Sequence, residues 1–234
     1  MGKTIVLNHK SFLTLPEIKE YLLNINDIIR KDQNVIICPT SIYFPYFTGK
    51  YNFKLGAQSL YPKSINGEIT GKVLRSFQTK YVLIGHNERK NEFNETPKQI
   101  NSQIKEAIKN GITPIIIVGE TYYQKQMKKT GEVITKQLRE YLNEVEVKDD
   151  IIIGYEPNWN NNIMPTNKHI EEVADLIKTQ ILRKYNANVK VLFGTNISST
   201  NISILEQISN IDGYIIGKSS TDIDEINKIF NIIE

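Results

Sequence analysis

Short apolar runs rich in β-branched residues alternate with amphipathic stretches along the whole chain. This alternation is typical of repeated strand–helix units that build a parallel sheet. Most of the apolar runs are continuous, as in strands that are covered on both faces. We predict eight strands, at residues 4–8, 34–38, 53–58, 81–84, 113–118, 151–156, 190–193 and 213–216.

The amphipathic stretches carry helix start signals. Thr14, Thr96, Thr166 and Asp222 each stand before a stretch with apolar residues at helical spacing, and Gly111 follows one such stretch. No linker or low-complexity segment divides the chain, so we predict one domain over residues 1–234. Eight strands alternating with helices favour the α/β class and a closed (β/α)8 barrel, with an open doubly wound sheet as the alternative.

Composition narrows the class of protein. The chain has 234 residues, of which 40% are hydrophobic and 24% charged, which is typical of a soluble globular protein.

Its apolar runs are far shorter than the ~20 residues of a membrane span, and the first residues lack signal composition, so we expect a cytoplasmic location. The net charge of +3 comes from dispersed lysines and gives no nucleic-acid surface. Cys38 is the single cysteine and is far in sequence from every histidine, so neither a disulfide nor a metal site is expected.

Polar residues cluster where the predicted strands end. Glu156 leaves an apolar strand and precedes Pro157, and a partly desolvated carboxylate in such a place is a competent proton acceptor. A carboxylate before a proline more often caps or pairs, and a lone histidine such as His86 is usually structural. In a barrel, however, the carboxyl ends of all strands meet on one face, where active sites are built. That face would gather Asn8, Lys10, His86, Glu88, Glu120, Glu156, Asn196, Gly217 and Lys218.

These segments, in this order, resemble the triosephosphate isomerase family over essentially the full chain. The resemblance is carried by Asn8-x-Lys10, Cys38-Pro39, Gly56-Ala57-Gln58, Thr70-Gly71, Tyr81 through Arg89, Pro114 through Glu120, Tyr155-Glu156-Pro157-Asn158-Trp159 and Asp212-Gly213. It implies an aldose–ketose isomerase of glycolysis and gluconeogenesis that interconverts dihydroxyacetone phosphate and D-glyceraldehyde 3-phosphate through an enediolate. No cofactor and no metal is implied.

The resemblance also implies roles for individual residues. Glu156 would be the base and then the acid, and neutral His86 would polarise the carbonyl as the electrophile. Lys10 would place a positive charge beside the enediolate and the phosphate, with Asn8 as an amide donor. Glu88 would support the site by holding Lys10.

The chain departs from the family pattern around the phosphate and the lid. The usual Gly-rich lid is two residues longer than Asn160 to Pro165, in which Asn162 is a candidate substrate contact. Phosphate would be bound by backbone N–H groups at Asn196, Gly217 and Lys218, although Asn196 and Lys218 replace residues usual in the family. A homodimer is implied, with a changed interface, because Lys72 stands where the family has an acid.

Two alternatives follow from these departures. One is a paralogous isomerase for a larger phosphorylated ketose such as a tetrulose phosphate, since a shorter lid could leave room for another carbon. The other is a sugar-phosphate-binding protein without catalysis, which the retention of Glu156 and His86 disfavours. His9 and His169 receive no role from the sequence.

Overall fold

Eight parallel strands close into a barrel in sequence order, with the last strand paired to the first. The computed structural model describes residues 2–159 and 163–233. The strands are β1 Thr4–Asn8, β2 Asn34–Cys38, β3 Lys54–Ala57, β4 Tyr81–Ile84, β5 Thr113–Val118, β6 Ile152–Tyr155, β7 Lys190–Phe193 and β8 Gly213–Ile216. The predicted α/β class and (β/α)8 barrel are therefore confirmed, and the open sheet is not.

Helices lie between the strands on the outside of the barrel. They are α1 Leu15–Ile28, α2 Phe44–Phe47, α3 Gly71–Ser76, α4 Asn87–Glu92, α5 Pro97–Lys109, α6 Tyr122–Gln126, α7 Thr130–Tyr141, α8 Asn167–Tyr185, α9 Ile202–Leu205 and α10 Ile223–Phe230. The predicted starts are correct. Thr14 and Thr96 form capping boxes with Glu17 and Gln99, and Thr166 and Asp222 cap α8 and α10. None of the helices in the described residues is long and apolar enough to span a bilayer.

The core has two layers because side chains alternate across each strand. In β1, Val6 points into the barrel with Ile36, Leu83 and other apolar side chains. Its neighbours, Ile5 and Leu7, pack outward against the helices. The barrel interior is therefore filled, and its polar side chains are left at the carboxyl ends of the strands.

Two predicted strands were one residue too long at each end, β3 and β6. The reason at β6 matters for function. The backbone N–H of Glu156 still donates to the carbonyl of Val118 at 2.9 Å, but the strand assignment stops at Tyr155. Pro157, which has no N–H, follows at once, so the ladder cannot continue. Glu156 is thereby held by one strand bond with its side chain at the barrel mouth.

Candidate active site

A cavity of about 650 Å³ opens at the carboxyl ends of the strands. Residues from the ends of β1, β4, β6, β7 and β8 line it. The described residues that the sequence placed on this face line it, with the exception of the buried Glu120: Asn8, Lys10, His86, Glu88, Glu156, Asn196, Gly217 and Lys218. Asn162 lies outside the described residues. The barrel thus brings together side chains that are up to 210 positions apart in sequence, between Asn8 and Lys218.

Glu156 is fixed through its backbone and left unpaired at its carboxylate. The side-chain amide of Asn87 donates to the backbone carbonyl of Glu156 at 2.9 Å. Gly119 packs so closely on the same carbonyl that an added Cβ would lie 2.0 Å from its oxygen. Within the described part of the chain, Oε2 of the carboxylate is buried and has no hydrogen-bond partner. The backbone is immobilised while the carboxylate is available to accept a proton.

His86 faces this carboxylate. Its side chain is 9% exposed, and its Nε2 lies 3.4 Å from Oε2 of Glu156. On the other side of the ring, Nδ1 accepts the backbone N–H of Glu88 at 3.4 Å, as the N-cap of α4. Because Nδ1 is the acceptor, a neutral ring carries its proton on Nε2. His86 therefore presents an N–H donor to the cavity.

Lys10 sits in a left-handed backbone conformation, with φ 49°, which is uncommon for a residue with a side chain. Its backbone carbonyl accepts hydrogen bonds from Thr40 at 2.7 Å and Gln58 at 2.6 Å, and its N–H donates to the Asn8 side chain at 3.3 Å. Its ammonium forms an ion pair with Glu88. Four residues from different parts of the chain thus hold Lys10 at the cavity wall, as expected where strain is kept at a functional site.

The turns after β7 and β8 are held differently. Asn196 has φ 48°, and its backbone carbonyl accepts the side-chain amide of Asn201 at 2.8 Å. Gly217 begins a short 3-10 segment, Lys218–Thr221, in which the N–H of Ser220 donates to the Gly217 carbonyl at 2.8 Å. These bonds are local to each turn and fix backbone rather than side chains. Lys218 is exposed at the rim.

Comparison with known proteins identifies the family of the chain. The family model for triosephosphate isomerase matches residues 3–233. This chain belongs to the triosephosphate isomerase family. A triosephosphate isomerase of Dictyoglomus thermophilum is 33% identical over 234 aligned residues, covering 93% of this chain and 94% of the relative. Those of Mesomycoplasma hyorhinis and Trichodesmium erythraeum are each 30% identical, with 99% of both chains covered. The predictions of the family and of the aldose–ketose isomerase class are confirmed.

The departures from the family pattern have simple backbone explanations. Asn196 occupies a left-handed position, which asparagine reaches more readily than most residues. Lys218 has no positive φ, so its turn does not need a glycine. The hydroxyl of Thr195 bonds to the backbone carbonyl of Gly194. Residues of both turns line the cavity in spite of these changes.

Several contacts around the site were missed by the sequence. Asn87, Thr40 and Gln58 act on the backbones of Glu156 and Lys10. Asn87 and Gln58 stood in quoted motifs but received no role, and Thr40 lies in an ordinary loop, where a hydroxyl carries no distinctive spacing. His169, which received no role, contacts the buried side chains of Glu120 and Tyr155.

Proposed function

We propose that this protein interconverts dihydroxyacetone phosphate and D-glyceraldehyde 3-phosphate by proton transfer through an enediolate. One observation carries the proposal: a carboxylate oxygen of Glu156, unpaired within the described residues, lies 3.4 Å from Nε2 of His86 at the mouth of the barrel. A base and a neutral N–H donor in this relation suit abstraction of a proton next to a carbonyl. The names of the family and of its curated relatives support the same substrate.

The proton moves in a closed cycle. Glu156 takes a proton from C1 of dihydroxyacetone phosphate, and the C–H electron pair becomes the double bond of the enediolate. The N–H of His86 stabilises the charge on the C2 oxygen and passes protons between the two oxygens. Glu156 then returns its proton to C2, which leaves the aldehyde at C1 and regenerates the carboxylate. No electron acceptor is needed because the substrate is oxidised at one carbon and reduced at the next.

The remaining residues would bind and stabilise. Lys10 would put its positive charge next to the enediolate oxygen, while its ion pair with Glu88 holds the ammonium at the cavity wall. Asn8 is buried and would contribute its amide. The phosphate would bind the backbone N–H groups of the turns at Asn196, Gly217 and Lys218, as anions commonly do in such turns.

A direct test is turnover of D-glyceraldehyde 3-phosphate by the wild type and by Glu156→Gln. We expect kcat/KM to fall by roughly 10³-fold, since general base catalysis is worth about 10² to 10⁴. The matched control is Glu146→Gln, an exposed carboxylate paired with Lys148. Unchanged turnover in Glu156→Gln would contradict the proposal. Faster turnover of a tetrulose 4-phosphate than of the triose phosphate would identify the larger sugar as the substrate. No turnover of either would favour a sugar-phosphate-binding protein without catalysis.

We further propose a homodimer formed by the loops after β1, β2 and β3. Large apolar side chains are exposed there, on adjacent barrel segments: Phe12, Ile42, Tyr46 and Ile65. Several large apolar side chains exposed on neighbouring segments are typical of an association site. Ile42→Lys should yield a smaller particle in light scattering, whereas Leu23→Lys, on the exposed face of α1, should not. A wild type that scatters as a monomer would contradict the dimer.

The interface would differ from the family's because its charged residues are used within the chain. Arg89 pairs with Glu95 at 2.5 Å and with Glu68 at 3.5 Å. Lys72, where the family has an acid, is exposed. A cytoplasmic location stays a prediction from the sequence.

A further inference from the structure

A fully buried carboxylate lies behind the proposed base. Glu120 follows β5, and its side chain is 0% exposed. A buried charge is costly unless it is paired and hydrogen-bonded. The carboxylate of Glu120 lies next to His169, whose Nε2 is 3.2 Å from Oε1.

Tyr155 completes the cluster. Its hydroxyl lies 3.2 and 3.3 Å from the two carboxylate oxygens of Glu120 and 2.9 Å from Nε2 of His169. Burial, and then the charge of Glu120, raise the pKa of Tyr155, so the hydroxyl keeps its proton and donates it to the carboxylate. The hydroxyl oxygen can then only accept, which requires the N–H of His169 as donor. The three side chains satisfy one another only if Nε2 of His169 carries a proton.

The cluster of Glu120, Tyr155 and His169 contacts residues before and after Glu156. Tyr155 directly precedes the base, and the indole of Trp159 lies 5.5 Å from the ring of His169. The backbone of Glu120 also accepts the N–H of Asn158 at 2.9 Å. A change at His169 therefore reaches the base through residues before and after it, without touching the cavity, which His169 does not line.

We propose that His169 is a positioning residue, which holds Tyr155 through its Nε2–H while its ring packs against Trp159, and which thereby fixes the backbone from which Glu156 projects. The proposal rests on the proposed function, because its kinetic readout is triose phosphate turnover. The proposal assigns the positioning effect to the hydrogen bond of His169 and not to the packing of its ring. Two substitutions at His169 separate these two contributions.

The first experiment compares His169→Phe with His169→Gln. Phenylalanine keeps a ring against Trp159 but has no donor, whereas glutamine keeps an N–H near the position of Nε2. We expect His169→Phe to lower kcat by about 10-fold or more with KM within about 2-fold, since small misplacement of a catalytic group is costly in rate. His169→Gln should stay within about 3-fold of the wild type. Equal activity of both variants and the wild type, or rescue by phenylalanine and not by glutamine, would overturn the proposal.

The second experiment needs no substrate, because Trp159 is the single tryptophan of the chain. An imidazole in contact with an indole quenches its fluorescence, so the emission of Trp159 at a fixed pH should be higher in His169→Gln than in the wild type. The charged and titratable groups around this pair are Glu120, Tyr155 and Lys125, and on the same helix Lys168 and Glu172. All of them are retained in the variant and so cancel in the comparison.

The two experiments test the proposed function and the role of His169 independently. A folded wild type without triose turnover overturns the proposed function, and the placement of His169 is then judged by fluorescence. Equal Trp159 emission in the wild type and in His169→Gln overturns the placement, whatever the turnover. Thermal unfolding of each variant, with Tm within about 4 °C of the wild type, establishes that the comparison concerns folded protein.

Discussion

The two sides of the cavity are built by different means. At the ends of β4 and β6, Glu156 and His86 depend on contacts between distant elements, including the Asn87 amide and the close approach of Gly119. At the ends of β7 and β8, the carbonyls of Asn196 and Gly217 accept bonds from within a few residues, and Ser199 in the loop after β7 also donates to Glu225 of α10. The contacts on the backbone of Glu156 join distant elements, whereas those on the carbonyls of Asn196 and Gly217 are local. This explains why the departures from the family collect on the phosphate side.

Gly119→Ala should have the largest effect on activity, because it disturbs the side of the cavity that carries Glu156 and His86. The new Cβ would lie 2.0 Å from the carbonyl oxygen of Glu156, a contact that only backbone movement relieves. We expect kcat/KM to fall by about 10²-fold or more, because such movement displaces the base. The control is Gly131→Ala, where the Cβ meets only Leu176 at 3.8 Å and the helix α7 is slightly stabilised. Equal kcat/KM in Gly119→Ala and Gly131→Ala would contradict the claim that this side of the cavity depends on the close packing of Gly119.

His9→Phe should change the pH dependence of stability. His9 follows Asn8 but turns into the core beside Tyr21, and both of its ring nitrogens lack hydrogen-bond partners in the described residues. Burial lowers the pKa of His9 from 6.5 to about 3. The unfolded chain therefore takes up a proton below pH 6.5 that the folded chain does not. Stability must decline as the pH falls from 6.5 toward 3.

The expected loss is roughly 1.4 kcal/mol per pH unit in that window, or about 2 kcal/mol at pH 5. Urea unfolding of the wild type and of His9→Phe at pH 7 and pH 5 measures it, and the contributions of other groups cancel in the difference. The variant should lose less stability than the wild type on acidification. The same loss in both chains would contradict a neutral buried His9.

Asn87→Ala tests the contact between α4 and the base. It removes the donor to the backbone carbonyl of Glu156, which leaves that acceptor unsatisfied at a cost of about 1 to 3 kcal/mol. We expect a fall in kcat/KM of about 10-fold. The matched control is Asn91→Ala, which also lines the cavity from α4 but bonds weakly to the Asn158 side chain at 3.4 Å. Equal effects of the two would show that the bond to the carbonyl has no special weight.

Lys218→Gly should have the smallest effect. It restores the residue usual in the family at a turn whose backbone does not have a positive φ. If the backbone N–H binds the phosphate, KM should change by less than about 3-fold, since an exposed charge contributes little. A KM increase of about 10-fold or more would instead assign binding to the ammonium and make the phosphate side dependent on its side chains too.

The sequence predicted those parts of the molecule that depend on repeating patterns or on exact motifs. The eight strands followed from apolar runs, and the capped starts at Thr14, Thr96, Thr166 and Asp222 from their neighbours. Without the family resemblance, which gave a role to His86 alone, it did not distinguish His9, His86 and His169, since all three stand near element ends. The fold distinguishes them. Among the described residues, the buried ring of His9 has no hydrogen-bond partner, His86 faces the carboxylate of Glu156 in the cavity, and His169 contacts the buried carboxylate of Glu120.

The bonds on backbone groups were beyond the sequence for a related reason. Asn87 and Thr40 act across the barrel on carbonyls of Glu156 and Lys10, which are 69 and 30 positions away. Such contacts depend on the register of neighbouring strands and leave no local spacing. Asn162 stays a prediction, because it lies outside the described residues.

The central claim is that Glu156 moves the substrate proton. Its most direct measurement is the exchange of solvent deuterium into dihydroxyacetone phosphate and D-glyceraldehyde 3-phosphate, followed by NMR, for the wild type and Glu156→Gln. The account predicts rapid incorporation at the carbon next to the carbonyl by the wild type and a rate roughly 10³-fold lower in the variant. Incorporation at an equal rate in both would contradict it.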